Sequence, residues 1–194
     1  MTRMRLVISL VFMIVGAWMT QASAQEHDKS ELVRSLKSLT PDPSQDLGIH
    51  YVVTNEIEHE LFEPVVRDLG GAYLGVGTNQ NFALISWMRP EFVIFMDFDQ
   101  TIVDLHEIYR LIFLRAETPE AFISFWSKDK QEDLRKLVSE TFTEKKIQRR
   151  MLKVLKISNR AVRNSLRKTR RRYKRKKIKT YITDLEHFTF LRSL

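Results

Sequence analysis

The stretch Gly70–Thr101 reads GGAYLGVGTNQNFALISWMRPEFVIFMDFDQT. Its apolar runs Ala72–Leu74 and Phe92–Met96 predict two strands, and the amphipathic segment between them predicts a helix. Gly75 and Gly77 stand at the turn between the first strand and that helix. A strand, a glycine turn, a helix and a second strand with an acidic end form the layout of a nucleotide-binding crossover. We therefore predict an α/β fold built on a partial parallel sheet.

This turn supplies a candidate ligand site. Its glycines would let the backbone approach a ligand, and amides at the helix start could hold an anion or a ribose. Asp97 lies 20 residues after Gly77, a spacing that suits an acidic side chain accepting hydrogen bonds from ribose hydroxyls. The candidate ligand-binding residues are Gly75, Gly77, Asn79, Gln80, Asn81 and Asp97, with Asn55 and Glu56 nearby. The alternative is a buried strand–turn–helix whose glycines serve packing only.

The acidic end of the second strand has a further interpretation. Asp97-Phe98-Asp99-Gln100-Thr101 resembles the D-x-D-x-T motif of the haloacid-dehalogenase phosphatases. The resemblance implies that Asp97 attacks phosphorus, Asp99 transfers the proton and Thr101 braces the loop, with magnesium between the two carboxylates. A magnesium-dependent phosphatase is thus the enzymatic alternative to ligand binding.

A wider pattern runs through Gly71–Phe82, Arg89-Pro90, Asp97 and Leu105–Phe113. It resembles a family of uncharacterised bacterial proteins with a methyltransferase-like Rossmann fold, whose members share the motif G-A-Y-L-G-V-G-x-x-Q-N-F. The resemblance implies a Rossmann-like core, with S-adenosylmethionine as the type of cofactor. It also aligns Thr180–Leu194 with the helix that precedes the family's fourth strand. Because the family continues through more strands, we expect a C-terminally truncated member.

The N-terminus has the order of a secretory signal peptide. Arg3 and Arg5 precede the apolar run Leu6–Trp18, and Ala22-Ser23-Ala24 follows at the spacing of a cleavage site. The run is shorter than the roughly 20 residues that a membrane-spanning helix needs. We expect cleavage after Ala24 and a periplasmic or secreted protein, with an uncleaved N-terminal anchor as the alternative. The chain has no cysteine, so its fold is expected to hold without disulfides.

The net charge of +8 combines two opposed parts. Lys145–Lys179 holds 18 of the 32 Lys and Arg residues and no acid, which leaves 14 basic against 24 acidic residues elsewhere. Apolar residues at helical spacing from Ile147 to Leu166 predict an amphipathic helix, which suits a membrane surface. The candidate polyanion-binding residues that follow are Arg167, Lys168, Arg170, Arg171, Arg172, Lys174, Arg175, Lys176 and Lys177. In an exported protein, anionic lipid or polysaccharide is a more accessible partner than nucleic acid. The alternative is a helical insertion whose charges cover the acidic body or stay solvated.

The first strand and one later helix carry further expectations. Ala72–Leu74 is short and uncharged, which is expected of a strand buried on both faces. Thr118 followed by Pro119 predicts a capped helix over Glu120–Ser127. On one face of that helix lie Phe122, Phe125 and Trp126, which are expected to pack in the core.

Three local patterns complete the expectations. His50–Thr54 is a short β-branched run that predicts an edge strand. Thr54 or Asn55 would then cap a helix that continues to about Leu69. Thr183–Glu186 has the spacing of a capping box before the last helix.

The sequence therefore predicts five successive parts: a signal peptide (1–24), a flexible lead-in (25–40), a Rossmann-like core (41–144), a basic helical segment (145–179) and a C-terminal helix (180–194). The C-terminal half is expected to be rich in helix. We expect an exported methyltransferase-like protein that binds a small nucleoside-like or anionic ligand. Active methyl transfer is not expected, because S-adenosylmethionine is not freely supplied outside the cytoplasm. The histidines show no metal-ligand spacing, and no metal site is predicted.

Overall fold

The computed structural model describes residues 30–36, 38–40 and 48–194. The predicted signal peptide and its cleavage site lie outside the described residues. The chain divides into two units, Met1–Pro43 and Ser44–Leu194. In the first unit, residues 30–36 are helical; all elements named below belong to the second.

The second unit is mixed α/β, with more helix than strand. Its elements are, in chain order, a 3₁₀ turn (His59–Leu61), α1 (Glu63–Val66), β1 (Ala72–Val76), α2 (Gln80–Met88), β2 (Phe92–Met96), α3 (Gln100–Arg115), α4 (Pro119–Phe125), α5 (Gln131–Thr141), α6 (Lys145–Lys176) and α7 (Leu185–Ser193). The α/β class, the partial parallel sheet and the helix-rich C-terminal half are confirmed.

The sheet consists of β1 and β2, which pair in parallel from Ala72 opposite Phe92 to Val76 opposite Met96. Helix α2 connects them, as the glycine turn and the apolar runs predict. The expectation that β1 is buried on both faces is wrong, because Leu74 and Val76 are 61% and 58% exposed. Helices α2 and α3 pack on the sheet, and they cover only the face that carries buried Gly75.

The core lies between α6 and the helices before it. The apolar stripe of α6 is buried and packs against α3, α4 and α5; it comprises Met151, Val154, Leu155, Val162 and Leu166. An aromatic cluster continues this core, with Phe113 stacked on Phe122 at 4.4 Å between ring centroids. The predicted role of Phe122 and Trp126 in core packing is confirmed, since neither side chain is exposed.

Polar contacts also fix α6 on the body. The guanidinium of Arg150 donates two hydrogen bonds to Asp104 on α3, at 2.5 and 3.1 Å, and Asp104 is almost fully buried. Farther along α6, Ser165 accepts a hydrogen bond from the amide of Asn79 at 3.2 Å. The buried ring of Tyr173 holds the segment beyond the apolar stripe. Helix α6 is thus attached along most of its length.

The segment before the sheet differs from its prediction. His50–Thr54 forms no strand, because Val52 turns into the core and its N–H donates to the carbonyl of His50. The predicted helix from Asn55 to Leu69 is also wrong. Glu58 adopts a left-handed conformation (φ 69), and Pro64 stands in the first turn of the short α1, where its missing N–H is tolerated.

Two later helices begin at or next to their predicted cap residues. Thr118 caps α4 by accepting a hydrogen bond from the N–H of Ala121, as predicted. Helix α7 begins one residue later than its predicted capping box. Its cap is Asp184, which accepts from the N–H of His187, whereas the Thr183 hydroxyl accepts from the N–H of Thr180.

Candidate functional site

The carboxyl ends of β1 and β2 meet at one edge of the sheet, where Asp97 joins the two turns. Its Oδ2 accepts a hydrogen bond from the N–H of Gly77 (3.2 Å), and its Oδ1 accepts one from the N–H of Asp99 (2.9 Å). We call this region, with the residues that contact it, the sheet edge. Both carboxylate oxygens of Asp97 therefore hold backbone groups of the turns themselves.

The two glycines of the first turn have different roles. Gly77 adopts φ +81, a conformation that side chains disfavour. Gly75 is buried, and a Cβ there would lie 2.7 Å from the ring of Tyr73 and 3.0 Å from the side chain of Asn81. Gly77 thus permits the turn, while Gly75 permits packing inside the protein rather than a ligand's approach.

The two asparagines of this turn are also occupied within the protein. Asn79 is buried; its Oδ1 accepts from the N–H of Thr54 and its Nδ2 donates to Ser165. Asn81 is buried as well; its Oδ1 accepts from the hydroxyl of Tyr73 at 2.7 Å and its Nδ2 donates to the carbonyl of Val76. The predicted ligand-binding amides are therefore parts of the scaffold.

The remaining predicted ligand residues lie at the surface of the same region. Gln80 is partly exposed, and its Nε2 donates to the carbonyl of Val76 at 3.3 Å. Asn55 and Glu56 are exposed and follow Thr54, the residue that contacts Asn79. The structure thus brings the predicted set to one region, but most of its polar groups have partners there.

Two histidines at the sheet edge were missed by the sequence. The Nδ1 of His50 lies 2.8 Å from Oδ2 of Asp99. His106 on α3 stacks on Phe95 (4.2 Å between centroids), and its Nε2 donates to the carbonyl of Gly77 at 2.7 Å. Burial lowers the pKa of His106 below its ordinary value, although the bond to Gly77 opposes this effect. No local spacing could have signalled these pairs, since they are 49 and 29 residues apart.

The phosphatase motif occupies a helix start. Asp99 caps α3 by accepting a hydrogen bond from the N–H of Thr101 at 2.8 Å. Within the described residues, no group of three or more His, Asp or Glu side chains could hold a metal ion. Asp97, Asp99 and Thr101 therefore lie together, and their contacts within the protein organise the turn and the start of α3.

A second region, here called the α6 groove, lies along the C-terminal part of α6. It is an open groove of about 740 Å³. The charged residues that line it are Arg167, Lys168, Arg171, Arg172, Arg175, Lys176 and Glu58. Six cations thus face a single carboxylate.

Some of the predicted polyanion-binding cations form ion pairs with acidic side chains of the protein itself. The guanidinium of Arg172 and the Nζ of Lys176 both lie 2.5 Å from Oε1 of Glu60, and Arg170 pairs with Glu120. The others make no ion pair in the part of the chain that the structure describes; they are Arg167, Lys168, Arg171, Lys174, Arg175 and Lys177. The basic segment therefore combines an anchored set of cations with an unpaired set.

Glu60 is the anchor of the first set. Its side chain is only 6% exposed. Burial opposes its ionisation, but hydrogen bonds from Lys176 and Arg172 outweigh this, and the pKa of Glu60 lies below its ordinary value. Glu60 is therefore ionised at neutral pH and ties the end of α6 to the 3₁₀ turn.

The interpretation of α6 as a helix lying in a membrane surface is wrong in one respect. Such a helix inserts its apolar face, and the apolar face of α6 is buried in the core. Any contact with anionic lipid would use its charges alone. Among the described residues, none of the helices has the length and apolar character needed to cross a bilayer.

The comparisons with known proteins concern both regions. A family model described as Domain of unknown function (DUF7790) matches residues 51–194. The chain belongs to this family. The DUF7790 region contains both the α6 groove and nearly all of the sheet edge, with His50 just before its first residue. A search of curated proteins finds no match.

Proposed function

We propose that this protein binds polyanions electrostatically through the α6 groove. One observation carries the proposal: six cations and one acid line the groove, and four of those cations make no ion pair among the described residues. These four are Arg167, Lys168, Arg171 and Arg175. Arginine donates paired hydrogen bonds to phosphate and similar anions, which makes it well suited to this task.

The unpaired cations are arranged as a row. Arg167, Arg171 and Arg175 stand four residues apart on α6, so their Cα atoms are about 6 Å apart along the axis. Like charges at this spacing destabilise a helix by about 0.2–0.5 kcal/mol per pair. An anion in the groove relieves this repulsion, and binding therefore stabilises the folded protein.

The helix backbone that carries the row is also held in place before any ligand arrives. Leu166 and Tyr173 are buried on the opposite side of α6. Binding therefore needs no ordering of this backbone, which favours affinity. The buried stripe thus supports the proposal through preorganisation.

Heparin-affinity chromatography tests the proposal. In the test variant, Arg167, Lys168, Arg171 and Arg175 are all changed to Gln. In a matched control, Lys146, Arg149, Lys153 and Arg160, which are exposed on α6 outside the groove, are changed to Gln. We expect the test variant to elute at much lower salt than the control, because the groove concentrates the contacts. Equal elution of the two variants would remove the groove as the binding site.

The sheet edge supports a second candidate function, the binding of a small nucleoside-like ligand by a Rossmann-like, methyltransferase-type core. Open α/β sheets bind ligands beyond the carboxyl ends of their strands. The observation that favours it is the contact of Gly77 with Asp97, which brings the glycine turn and the acidic strand end together at 3.2 Å.

Differential scanning fluorimetry with adenosine and S-adenosylmethionine tests this candidate. A ligand that binds the folded state raises the melting temperature. We expect the increase to be lost in Asp97→Asn, whose melting temperature without ligand is measured in parallel. Absence of any shift with both compounds would reject the candidate.

We also propose that the chain is exported and cleaved after Ala24, since the order of charged, apolar and small residues is that of a signal peptide. N-terminal sequencing of the protein expressed in a bacterial host tests this. A mature form beginning at Gln25 is expected, and a form that retains the apolar run would contradict it.

A further inference from the structure

A second groove lies beside the C-terminal end of α6. It has a volume of about 470 Å³. Its cations are Arg67, Arg89, Lys176, Lys177 and Lys179, and its acids are Glu63 and Asp68. Lys176 lines both this groove and the α6 groove. The two grooves therefore meet at one side chain.

The end of α6 explains this junction. Lys177 ends the helix in a left-handed conformation (φ 56), and the N–H of Ile178 then donates to the carbonyl of Tyr173 at 2.9 Å. This turn leaves Lys177 and Lys179 exposed beside Lys176. Cationic side chains thus continue from one groove into the next.

Most cations of the second groove pair with acidic side chains. The excess positive charge lies at the end of the groove near Lys176. Arg67 pairs with Glu63, and Arg89 pairs with Asp68 and with Glu186 on α7. Lys179 is 3.5 Å from Asp184 and remains 69% exposed. Lys177 makes no ion pair within the described part of the chain. Lys177 and Lys179 are therefore the cations that a ligand leaving the α6 groove would meet.

The length of this surface sets the size of its ligand. Arg167 and Lys176 are nine residues apart on α6, which corresponds to about 14 Å. A single phosphate or sugar sulfate would occupy only part of the α6 groove. A ligand that contacts Arg167, passes Lys176 and reaches Lys179 must be an extended chain.

We infer that the ligand is a linear chain with repeated sulfate or phosphate groups, which runs through the α6 groove and past Lys176 into the second groove. The inference rests on the proposed function of the α6 groove. Binding in two connected grooves raises affinity because the second contact is intramolecular. Each additional ion contact also releases counterions and makes the affinity more dependent on salt.

Heparin oligosaccharides of two lengths test this inference by isothermal titration calorimetry on the full chain. The short one spans about 14 Å, the length of the α6 groove between Arg167 and Lys176, and the long one about twice that. We expect the long ligand to bind about tenfold tighter or more. Inorganic polyphosphate of the same two lengths forms a second arm, and length dependence with either chain supports the inference and identifies its anionic group.

Two double variants test which lysines provide the tighter binding of the long ligand. Lys177→Gln with Lys179→Gln should weaken binding of the long ligand more than binding of the short one, and so remove most of the advantage of the long ligand. The control is Lys153→Gln with Lys156→Gln, two exposed residues of α6 outside both grooves, and it should keep the advantage. If the short and long ligands bind equally, or if both variants lose the advantage equally, the inference is wrong while the α6 groove stands. If neither length binds, the proposed function itself fails.

Discussion

The sheet edge and the α6 groove differ in what their polar groups do. At the sheet edge, Asn81 and Asp97 bond to neighbouring side chains and backbone groups of the same turns. In the α6 groove, Arg167, Arg171 and Arg175 have no ionic partner among the described residues. The sheet edge has the more recognisable sequence motif, whereas the α6 groove has more charged groups without a partner in the protein. A motif can be satisfied by its own fold, whereas exposed cations without an ionic partner remain available to an external anion.

A glycine substitution tests how strictly the sheet edge is built, and it should have the largest effect. Gly75→Ala places a Cβ 2.7 Å from the ring of Tyr73 and 3.0 Å from Asn81. Because both neighbours are held by their mutual hydrogen bond, we expect a loss of about 3 kcal/mol in the free energy of unfolding. Urea denaturation measures this.

The same variant should leave the α6 groove intact. Heparin affinity measured below its melting temperature is expected to match that of the unmodified protein. A variant as stable as the unmodified protein would show that the turn has room for a side chain, and would reopen it as a ligand site.

Removing the charge of Glu60, which anchors the α6 groove, should lower the stability of the protein but strengthen its binding to heparin. Glu60→Gln deletes the charge that holds Arg172 and Lys176. We expect a loss of about 2 kcal/mol in stability, typical of a lost hydrogen bond to a charged group. Heparin binding should be tighter, because Lys176 loses its carboxylate partner and Arg172 keeps only Glu58 at 3.4 Å. Urea denaturation and heparin chromatography measure the two effects.

Glu120→Gln is the control for this variant, because it removes one carboxylate that pairs with α6 but is itself 63% exposed. A surface pair of this kind contributes about 0–1 kcal/mol. If Glu60→Gln destabilised the protein no more than Glu120→Gln does, Glu60 would not be the anchor.

The pH dependence of stability tests the same carboxylate with a smaller effect. The pKa of Glu60 is lower in the folded state than its ordinary value, so ionised Glu60 favours folding. Its contribution is complete above the ordinary pKa and is lost as pH falls through the lowered one. The stability difference between the unmodified protein and Glu60→Gln should therefore shrink as urea denaturation is repeated from neutral to acidic pH. A difference that does not depend on pH would contradict this assignment.

Local signals in the sequence predicted the elements but few of the contacts. The glycine turn, the apolar runs of β1 and β2 and the Thr118 cap depend on neighbours in the chain, and the structure has them. The pairing of Glu60 with Arg172 joins residues 112 apart, and nothing near either residue indicates it. The helix predicted from Asn55 to Leu69 fails for a related reason, because Glu60 within that segment pairs with Arg172 and Lys176 of α6.

The charge pattern alone also could not distinguish the cations of the basic segment that pair within the protein from those that remain unpaired. Arg171 and Arg172 are neighbours with the same side chain, yet Arg171 is exposed in the groove and Arg172 bonds to Glu60. Their difference follows from helix geometry, because successive residues on a helix point about 100° apart. The position of Tyr173 in the core then decides which cations face the body.

The smallest effect is expected at the hydroxyl of Tyr73, which donates to Oδ1 of Asn81 at 2.7 Å. Burial raises the pKa of Tyr73 to about 12, so the hydroxyl remains a donor at neutral pH. Tyr73→Phe keeps the ring that packs on Gly75 but leaves the buried Oδ1 of Asn81 without its donor. We expect a loss of about 1 kcal/mol in the free energy of unfolding, with heparin affinity unchanged. If Tyr73→Phe were as stable as the unmodified protein, this hydrogen bond would contribute nothing to stability, and the sheet edge would be held by its other contacts.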